Sequence, residues 1–374
     1  MSLKILHVVQ SLEPGGMENG IVNMVSRLSG EELSFEICCL AQAGRMAQRL
    51  PEACPLHVLD KRPSFDRSLP GKLKKLVRTM RPDVLHTHNL GPLIYTVLAR
   101  FGGMPGRILH GEHASLTQAD LVFRKRLQRK VLYRFCTQIH TVGRAMTRQL
   151  DGLRFAPRPV ITLQNGVDTG RFVPCPDKPA LRRELLGLSG DVRLAGIFGR
   201  FGPYKRHAQL LEAFAEVAGK FPDLHLLVAG GGGELEQDVL ARIRSHPFSL
   251  RIHPVGFLPD PLRHYQCLDL LVIPSANEGL SNGALEAMAC GVPVLSNRNC
   301  GAEELITDGQ DGVVREMSST GELARHLARL LGPDGHDLQQ LGTRARHKIV
   351  EQFSLDGMAD AYRNAYRAVL PLRA

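Results

Sequence analysis

Short apolar segments rich in β-branched residues alternate along the chain with longer segments in which apolar residues recur at helical spacing. The apolar segments have the length of buried strands, and spacers such as 207–221 have the pattern of amphipathic helices. Regular alternation of this kind is typical of parallel sheets covered by helices on both faces. The predicted strands form two series, 4–9, 35–40, 57–60, 83–88, 107–113, 138–142 and 160–165, then 193–199, 224–230, 250–256, 268–274, 293–297 and 312–316.

Two series of strands predict an α/β protein with two doubly wound, Rossmann-like domains, and its length of 374 residues fits that number. The join is expected within 165–180, where prolines and turn-forming residues cluster. We therefore place one domain at 1–168 and the other at 169–354, followed by a last helix. Ligands of such sheets gather beyond the carboxyl ends of the strands, so a cleft across which the domains face each other is the expected site.

The composition, with 43% hydrophobic and 22% charged residues, is typical of a soluble globular protein. Trp is absent, so stacking platforms for single-stranded nucleic acid are scarce. The first apolar run is short and is interpreted as a strand, not a signal peptide, and no segment has the ~20 apolar residues that span a bilayer. The eight cysteines are scattered without C-x-x-C pairs, which indicates reduced thiols and a cytoplasmic protein.

The net charge of +10 is concentrated in the first half of the chain, in segments 72–82 and 123–135. In the second segment four apolar residues recur near helical spacing among Arg and Lys: Phe123, Leu127, Val131 and Phe135. Two interpretations stay open, a solvated basic face on a helix that packs through its apolar residues, or a surface that meets anionic lipid or an anionic acceptor. Nucleic acid is not expected, because no nucleic-acid-binding motif accompanies the charge.

Two glutamates, Glu278 and Glu286, stand in the segment 276–295, which otherwise lacks charge. The segment follows a buried strand and predicts a turn and then a helix, with Glu278 on the turn and Glu286 one helical turn further. Both carboxylates can approach one small volume beside helix-start N–H groups that suit a phosphate, as a nucleotide sugar would require. The alternative is a capping glutamate with another that favours the helix dipole.

The loop after the strand 193–199 carries two cations, Arg200 and Lys205, with Gly199 and Gly202 allowing a ligand to approach the backbone. Two cations at the end of a strand suit a diphosphate. Solvated loop cations are the alternative, and the position beyond a strand end favours the binding site.

Histidines occupy the strand ends of the first half, namely His86, His88, His110 and His113. Their spacing is not the i, i+4 pattern of common zinc sites on helices, so we favour imidazole donors lining an acceptor pocket over a metal site.

A glycine-rich turn at 14–20 is not G-x-G-x-x-G, which counts against a dinucleotide site. No G-x-S-x-G elbow is present, so a Ser-His-Asp nucleophile is not indicated.

Taken together, these segments resemble the retaining glycosyltransferases of family 4, which have the GT-B fold, over nearly the whole chain. The motifs that carry the resemblance are PGGMENGIVNMV for the GG-x-E loop, DVLHTHN and ILHGEHAS for the acceptor-side strand ends, QNGVDTGRF for the hinge, GRFGPYKRHAQLLEAF for G-R-x4-K, PSANEGLSNGALEAMACGVPVL for E-x7-E, and GAEELITDGQDGVV for the late E-x4-G-x2-G segment.

The resemblance implies a role for each matching residue. Arg200 and Lys205 would hold the donor diphosphate, Glu278 would contact the donor sugar, and His113 would lie near the anomeric carbon. Further donor contacts would come from Gly16, Gly199, Phe257, Gly279, Leu280, Ser281, Asn282 and Glu286. The acceptor side would include His86, His88 and His110. Residues 355–374 would join the N-terminal, acceptor-side domain, and 169–354 would bind the nucleotide sugar.

The sequence departs from the family pattern at Leu280, where an aromatic residue or a glycine is usual, and at Arg206, where glycine is common. Arg206 is either a third diphosphate cation or points outward. The resemblance implies transfer of a sugar, without metal or cofactor, from a UDP- or GDP-sugar to a lipid-linked saccharide in surface or exopolysaccharide synthesis. The enzyme would act in the cytoplasm, at the inner face of the membrane. The alternatives are a nucleotide-sugar epimerase of this fold and a non-catalytic nucleotide-sugar-binding subunit.

Overall fold

The computed structural model describes residues 2–276, 278–332 and 337–370. The chain divides into two compact units, called unit 1 (Met1–Gly166 with Leu355–Ala374) and unit 2 (Val167–Ser354). The boundary that we expected after residue 168 lies close to this division, and residues 371–374 of the expected last helix lie outside the described residues.

Each unit contains one sheet in which every strand pairing is parallel. The strands of unit 1 are β1 Leu3–Ser11, β2 Leu33–Gln42, β3 Leu56–Val58, β4 Val84–His88, β5 Arg107–Glu112, β6 Gln138–Thr141 and β7 Ile161–Thr162. Those of unit 2 are β8 Arg193–Phe198, β9 Leu224–Ala229, β10 Ile252–Gly256, β11 Leu270–Ile273, β12 Val294–Asn297 and β13 Val313–Arg315. All the predicted strands are present, and the predicted fold class is confirmed.

The helices between the strands are α1 Gly16–Leu28, α2 Leu69–Met80, α3 Leu90–Phe101, α4 Phe123–Tyr133, α5 Arg144–Gly152, α6 Lys178–Leu186, α7 His207–Ala218, α8 Glu236–Arg244, α9 Leu262–Gln266, α10 Asn282–Ala289 and α11 Cys300–Leu305. Three more follow β13, namely α12 Thr320–Leu331, α13 Leu338–Gln352 and α14 Leu355–Val369. Many begin where the sequence supplies a cap: at α12, Ser319 and Glu322 form a reciprocal capping box. No helix among the described residues combines the length and apolar character needed to cross a membrane.

The order of strands reverses once in each sheet. Unit 1 has the order β3-β2-β1-β4-β5-β6-β7, and unit 2 has β10-β9-β8-β11-β12-β13. The reversals fall between β1 and β4 and between β8 and β11, where the following loops diverge to opposite faces of the sheet. Open parallel sheets bind their ligands beyond the carboxyl ends of the strands at such a point.

One helix, α4, is oriented differently from the expectation that it packs through its apolar residues. Phe123, Leu127 and Val131 are exposed. The buried positions of the helix are instead Arg129, Leu132 and Tyr133. The physical reason is the buried carboxylate of Glu112 at the end of β5, which accepts a 2.6 Å hydrogen bond from the Tyr133 hydroxyl and pairs with Arg129 at 3.4 Å.

Candidate active site

In unit 2, the loops after β8 and β11 meet beside the reversal of the strand order. The ammonium group of Lys205 donates to the Glu278 carboxylate, and the backbone N–H of Ala276 donates to the Tyr204 carbonyl at 3.0 Å. The structure thus brings together a cation and a carboxylate that the sequence placed on separate loops. Both side chains keep some exposure, 33% for Lys205 and 18% for Glu278.

The backbone of the loop after β8 follows a path that requires glycine. Gly199 has φ +152, and its carbonyl oxygen lies 2.0 Å from where a Cβ on Gly230 would be, so neither residue can be replaced without a shift. Gly230 belongs to the glycine-rich turn after β9. That turn therefore lets two loops pack backbone against backbone. A Cβ on Gly199 would lie 3.4 Å from Lys205 Cε, so the Lys205 side chain runs close to this glycine.

The two arginines of this loop differ. Arg200 is exposed. Arg206 adopts the left-handed conformation, with φ +55, and its guanidinium donates to the backbone carbonyls of Met317 at 3.0 Å and Pro274 at 3.4 Å. Arg206 therefore does not simply point outward, because its side chain joins the ends of neighbouring segments. A single residue in this loop, Arg200, thus presents an exposed guanidinium.

The start of α10 lies directly after Glu278 and Gly279. Ser281 is the N-cap of α10, and its hydroxyl accepts a hydrogen bond from the Ala284 N–H. The helix therefore begins at Asn282, and the first-turn N–H groups lie next to Glu278. The Leu280 side chain is buried in the core of unit 2, so a donor contact by this residue is restricted to its backbone.

Glu286, one turn into α10, is buried and hydrogen-bonded to the Tyr265 hydroxyl. Burial, followed by the charge of Glu286, raises the pKa of Tyr265 well above its usual value, so Tyr265 remains a donor. The Tyr265 ring stacks on Phe198 at 4.2 Å between centroids. Sequence reasoning missed Tyr265, and a lone tyrosine in the short helix α9 carries no motif that could have revealed it.

A small pocket lies beyond β11 and β12 in unit 2. The start of α11 closes one side of it, where a Cβ on Gly301 would lie 1.9 Å from the Gly279 carbonyl oxygen. The polar lining residues are Glu278, Ser281, Ser296 and Asn299, and the others are Ile273, Gly279, Ala284, Gly301, Ala302, Leu305 and Ile306. Phe257 lies apart from this pocket, after β10, with its Cβ 2.9 Å from the position of a Cβ on Gly231.

In unit 1, a chain of hydrogen-bonded histidines runs beneath α14. Imidazole nitrogens are 2.8 Å apart in each of three pairs, His113–His88, His88–His7 and His86–His140. The Tyr366 hydroxyl of α14 connects the pairs, at 2.8 Å from His86 and 3.3 Å from His7. We call His7, His86, His88, His113 and His140 the histidine chain. Gly111 makes room for it, since a Cβ there would lie 2.5 Å from His140 Nε2.

All five imidazoles of the histidine chain are held in the neutral form. Burial lowers the pKa of His7 to about 3 and that of His113 to about 4. Burial and neighbouring imidazoles lower the pKa of His86, His88 and His140 well below the usual value. The nearest nitrogens of His7, His86 and His88 also lie within 4.8 Å of one another, which is close enough for one metal ion. Hydrogen bonds within the histidine chain already account for the short distances between these nitrogens.

Burial contradicts the expectation that His86, His88 and His110 line an acceptor pocket, because all three side chains are at most 1% exposed. His110 moreover belongs to the opposite face of the sheet. It contacts Thr87 at 2.9 Å and lies 3.6 Å from Glu112. Burial alone would raise the pKa of Glu112, but His110 and Arg129 lower it to about 2.

Three strand-end loops of unit 1 are joined through Asn89, which sequence reasoning did not select. Asn89 has φ +62, and its side-chain oxygen accepts from the His113 N–H at 3.1 Å while its amide donates to Met17 at 3.3 Å. Gly16, the first residue of α1, precedes Met17. His113 and the start of α1 therefore lie at the same reversal of strand order. The residue type was the available signal in the sequence, because an asparagine directly after a strand is among the residues that tolerate positive φ.

Two protein families match the chain over neighbouring regions. The family described as Glycosyltransferase Family 4 matches residues 14–171, and the family described as Glycosyl transferases group 1 matches residues 181–348. The two regions lie almost wholly within unit 1 and unit 2, respectively.

Curated relatives include a GDP-mannose-dependent alpha-(1-6)-phosphatidylinositol monomannoside mannosyltransferase of Mycolicibacterium smegmatis, 34% identical over 55% of this chain. That match spans little more than half, 56%, of the relative's own length. The UDP-Gal:alpha-D-GlcNAc-diphosphoundecaprenol alpha-1,3-galactosyltransferase of Escherichia coli is 25% identical over 79% of this chain and 77% of its own.

Among solved structures, Anabaena HepE in complex with UDP-glucose matches with a TM-score of 0.84. The match covers 98% of this chain and 100% of HepE, at 20% identity. A likeness at this level of identity concerns the fold, and it confirms the GT-B class.

Proposed function

Because the chain belongs to the family 4 glycosyltransferases, we propose that it moves a sugar from a UDP- or GDP-sugar to a lipid-linked saccharide of the cell surface. The chain is a nucleotide-sugar-dependent glycosyltransferase, and enzymes of this family retain the configuration of the sugar without a metal ion. The donor base, the residues that act and the acceptor are the parts that we propose.

The observation that carries the proposal is the arrangement beside the reversal of strand order in unit 2. Lys205, Glu278 and the first turn of α10 lie together there, and Arg200 is exposed in the same loop as Lys205. Cations and helix-start N–H groups suit a diphosphate, whereas carboxylates suit sugar hydroxyls. A nucleotide sugar carries a diphosphate next to sugar hydroxyls, so it suits a site where cations and a carboxylate lie close together.

We assign the donor diphosphate to Arg200, Lys205 and the N–H groups of 279–282. Glu278 would then accept from the transferred sugar, and Glu286 from the ribose hydroxyls. Phe257 would contact the base. On binding, Lys205 would exchange its carboxylate partner for the diphosphate, and both side chains keep enough exposure for a ligand to reach them.

During transfer, the bond between the anomeric carbon and the diphosphate oxygen breaks, and its electron pair leaves with the diphosphate. The acceptor oxygen bonds to the same face of that carbon, and its proton passes to a phosphate oxygen of the leaving group. Arg200 and Lys205 would stabilise the charge that accumulates on the diphosphate, an effect that commonly contributes several kcal/mol. His113 is proposed as the group of unit 1 near the reacting carbon.

The acceptor assignment draws on the relatives. The mannosyltransferase acts on a phosphatidylinositol mannoside and the galactosyltransferase on a diphosphoundecaprenol-linked sugar, and both acceptors are carried by lipids. We propose the same class of acceptor here, with unit 1 as the acceptor side.

The first experiment is a thermal-unfolding panel of the full chain with UDP, GDP, ADP and CMP, each with and without EDTA. A ligand at about 100 times its dissociation constant stabilises by about 2.7 kcal/mol. We expect one diphosphate to stabilise the wild type regardless of EDTA, and Arg200→Ala to lose the effect. Arg325→Ala, an exposed cation on α12, is the matched control and should respond like the wild type. Absence of stabilisation by every nucleotide would overturn the donor site.

A second readout separates the proposed reaction from its alternatives. A transferase releases nucleotide when a lipid-linked saccharide is added, because the sugar leaves with the acceptor. An epimerase converts the nucleotide sugar without an acceptor, and a binding subunit releases nothing. Either of the last two results would overturn the transfer reaction while leaving the donor site in place.

A further inference from the structure

The surface of α4 has an unusual composition. Phe123, Leu127 and Val131 are 81%, 51% and 46% exposed, and they follow each other at four-residue spacing. Residues at that spacing lie on one face of a helix, so they form a continuous apolar stripe. Isolated apolar residues are common on protein surfaces, but a stripe of three is typical of an interaction site.

The orientation that exposes this stripe is fixed from the other side of the helix. Arg129 and Tyr133 are held by the buried Glu112 carboxylate, and Arg129 also lies 3.7 Å from Asp120. Rotation of α4 to bury the stripe would leave the charge of Glu112 buried without its partners, which is strongly unfavourable. The exposure of the stripe is therefore a stable feature.

Cations border the stripe on both sides. With about 100° per residue, Arg126 and Lys130 lie along one edge and Arg124 along the other. All three are exposed, and the described residues provide no carboxylate within ion-pair distance of them. Lys125 differs, since it lies towards the packed side and pairs with Asp120 at 3.4 Å. We call the stripe and these three cations the α4 surface.

The same character continues onto the neighbouring helices. Phe101, at the end of α3, is 70% exposed, and its ring packs on Phe135 at 4.9 Å between centroids. The ammonium group of Lys74 on α2 lies 3.4 Å from where a Cβ on Gly102 would be. A basic, partly apolar area thus extends over three consecutive helices of unit 1.

We propose that the α4 surface docks on a membrane leaflet that contains anionic phospholipid. Apolar side chains between rows of cations insert at the level of the acyl chains while the cations meet phosphate groups. A second copy of the chain fits less well, because a symmetric pairing would oppose cations to cations. The proposal deepens the proposed function and rests on it for the acceptor: α4 is anchored to Glu112, the residue before His113.

The test is co-sedimentation of the full chain with phosphatidylcholine vesicles, with and without phosphatidylglycerol. We expect binding to the anionic vesicles that weakens with salt, since salt screens the attraction between cations and anionic lipid. The double variant Phe123→Ser/Leu127→Ser should lower the partition coefficient about tenfold or more, because two apolar side chains no longer insert. Leu250→Ser, a 93% exposed leucine of unit 2, is the matched control and should bind like the wild type.

Replacement of cations by glutamine tests the basic edges of the α4 surface. Arg126→Gln/Lys130→Gln should lower anionic vesicle binding about tenfold and reduce its salt dependence. Arg325→Gln/Arg329→Gln, an exposed pair at the same spacing on α12, should leave binding unchanged. Equal binding of wild type and both α4 variants would overturn the proposal, as would equal binding to neutral and anionic vesicles. Self-association of the wild type that Phe123→Ser/Leu127→Ser abolishes, without vesicle binding, would assign the surface to a second copy instead.

Nucleotide stabilisation of the same variants distinguishes this proposal from the proposed function. The α4 variants should keep the response to UDP or GDP, because their substitutions lie in unit 1 outside the donor residues. Vesicle binding without any nucleotide response would leave the α4 surface standing and remove the donor site. A nucleotide response without vesicle binding would leave the donor site standing and overturn the α4 surface.

Discussion

At the scale of single residues, Lys205 and Glu278, which we propose for the donor site, pair with each other before any ligand binds. The two groups neutralise each other across neighbouring loops, and both keep access to solvent. This half-buried pair holds the two side chains close together, and their remaining exposure lets a ligand reach them. A carboxylate that loses its ammonium partner to a diphosphate becomes available for a sugar hydroxyl.

Replacement of either donor cation should lower turnover without unfolding the protein. We expect Arg200→Ala and Lys205→Ala each to reduce the rate of sugar transfer tenfold or more, because the leaving diphosphate loses a fixed cation. Steady-state rates with a lipid-linked acceptor measure the effect, and thermal unfolding without ligand checks the fold. Arg325→Ala controls for the loss of a positive charge elsewhere in unit 2. Near-normal turnover of both variants would contradict the diphosphate assignment.

Tyr265 should act on the donor site through Glu286. Tyr265→Phe keeps the ring stacked on Phe198 but removes the hydroxyl that donates to the buried carboxylate. We expect a loss of about 1–3 kcal/mol in the free energy of unfolding, the usual cost of a buried group left without its partner. The KM for the donor should rise, since Glu286 is no longer oriented.

The control for this prediction is Tyr204→Phe, which removes a hydroxyl from an exposed tyrosine in the same unit. Its stability and donor KM should match the wild type. A Tyr265→Phe variant with unchanged stability and KM would show that Glu286 needs no support from α9.

Some of these residues could be found from the sequence and others could not. Arg200, Lys205, Glu278 and Glu286 stand out because charged residues follow buried strands or interrupt an uncharged segment. Tyr265 depends on a contact between α9 and α10, and nothing in its local sequence indicates that contact. Asn89 is the last residue of the motif DVLHTHN, but its hydrogen bond with His113 becomes apparent only when β4 and β5 lie side by side.

At the scale of elements, the histidine chain depends on three strands and one helix. His7 of β1 pairs in register with His86 of β4, and His140 of β6 lies two strands away across Gly111. The tyrosines of α14, Tyr362 and Tyr366, cover the imidazoles. A polar network on one buried face is tolerated because its members share hydrogen bonds, although His140 Nδ1 has no partner among the described residues.

The histidine chain should make the protein sensitive to mild acid. Each imidazole is neutral when folded and has a pKa near 6.5 when unfolded, so below that pH the unfolded chain binds more protons. Stability should therefore be full above pH 6.5 and fall towards about pH 4, by at most about 1.4 kcal/mol per pH unit for each histidine. Urea unfolding at a series of pH values measures the slope.

The variant His7→Gln tests whether the slope arises from the histidine chain. Glutamine keeps hydrogen-bonding capacity but does not titrate, so the slope between pH 6.5 and 4 should decrease by up to one histidine's share. His347→Gln, on the exposed side of α13, should leave the slope unchanged. A flat dependence of wild-type stability on pH over this range would contradict the neutral, buried assignment.

Prediction of the elements from the sequence succeeded for the strands and failed for the orientation of α4. Buried parallel strands are marked by continuous apolar residues, whatever their partners are. Periodicity reveals that α4 is amphipathic, but the choice of the inward face depended on Glu112, which binds Arg129 only in the folded sheet. A buried ion pair therefore outweighed the burial of three apolar side chains.

At the scale of the whole molecule, the chain leaves unit 1 after Gly166 and returns to it at Leu355. The returning helix α14 contributes six buried side chains to unit 1: Met358, Ala359, Tyr362, Ala365, Tyr366 and Val369. It packs on α1 and lies over the histidine chain. Unit 1 is therefore completed by the last residues of the chain, whereas unit 2 is continuous in sequence.

Truncation of the chain after Ser354 should destabilise unit 1 and leave unit 2 folded. Burial of the large side chains of α14 contributes about 1.5–3 kcal/mol each, which together approaches the whole stability of a typical domain. Calorimetry of the truncated chain should show the transition of unit 1 lost or strongly lowered.

Stabilisation by the donor diphosphate should persist, because Arg200, Lys205 and Glu286 belong to unit 2. The full-length variant Arg363→Ala/Arg367→Ala removes surface ion pairs of α14 with Glu32 and Asp360 and should unfold like the wild type. Loss of the nucleotide response on truncation would mean that the donor site needs unit 1 to form, and unchanged calorimetry would mean that α14 does not complete its core.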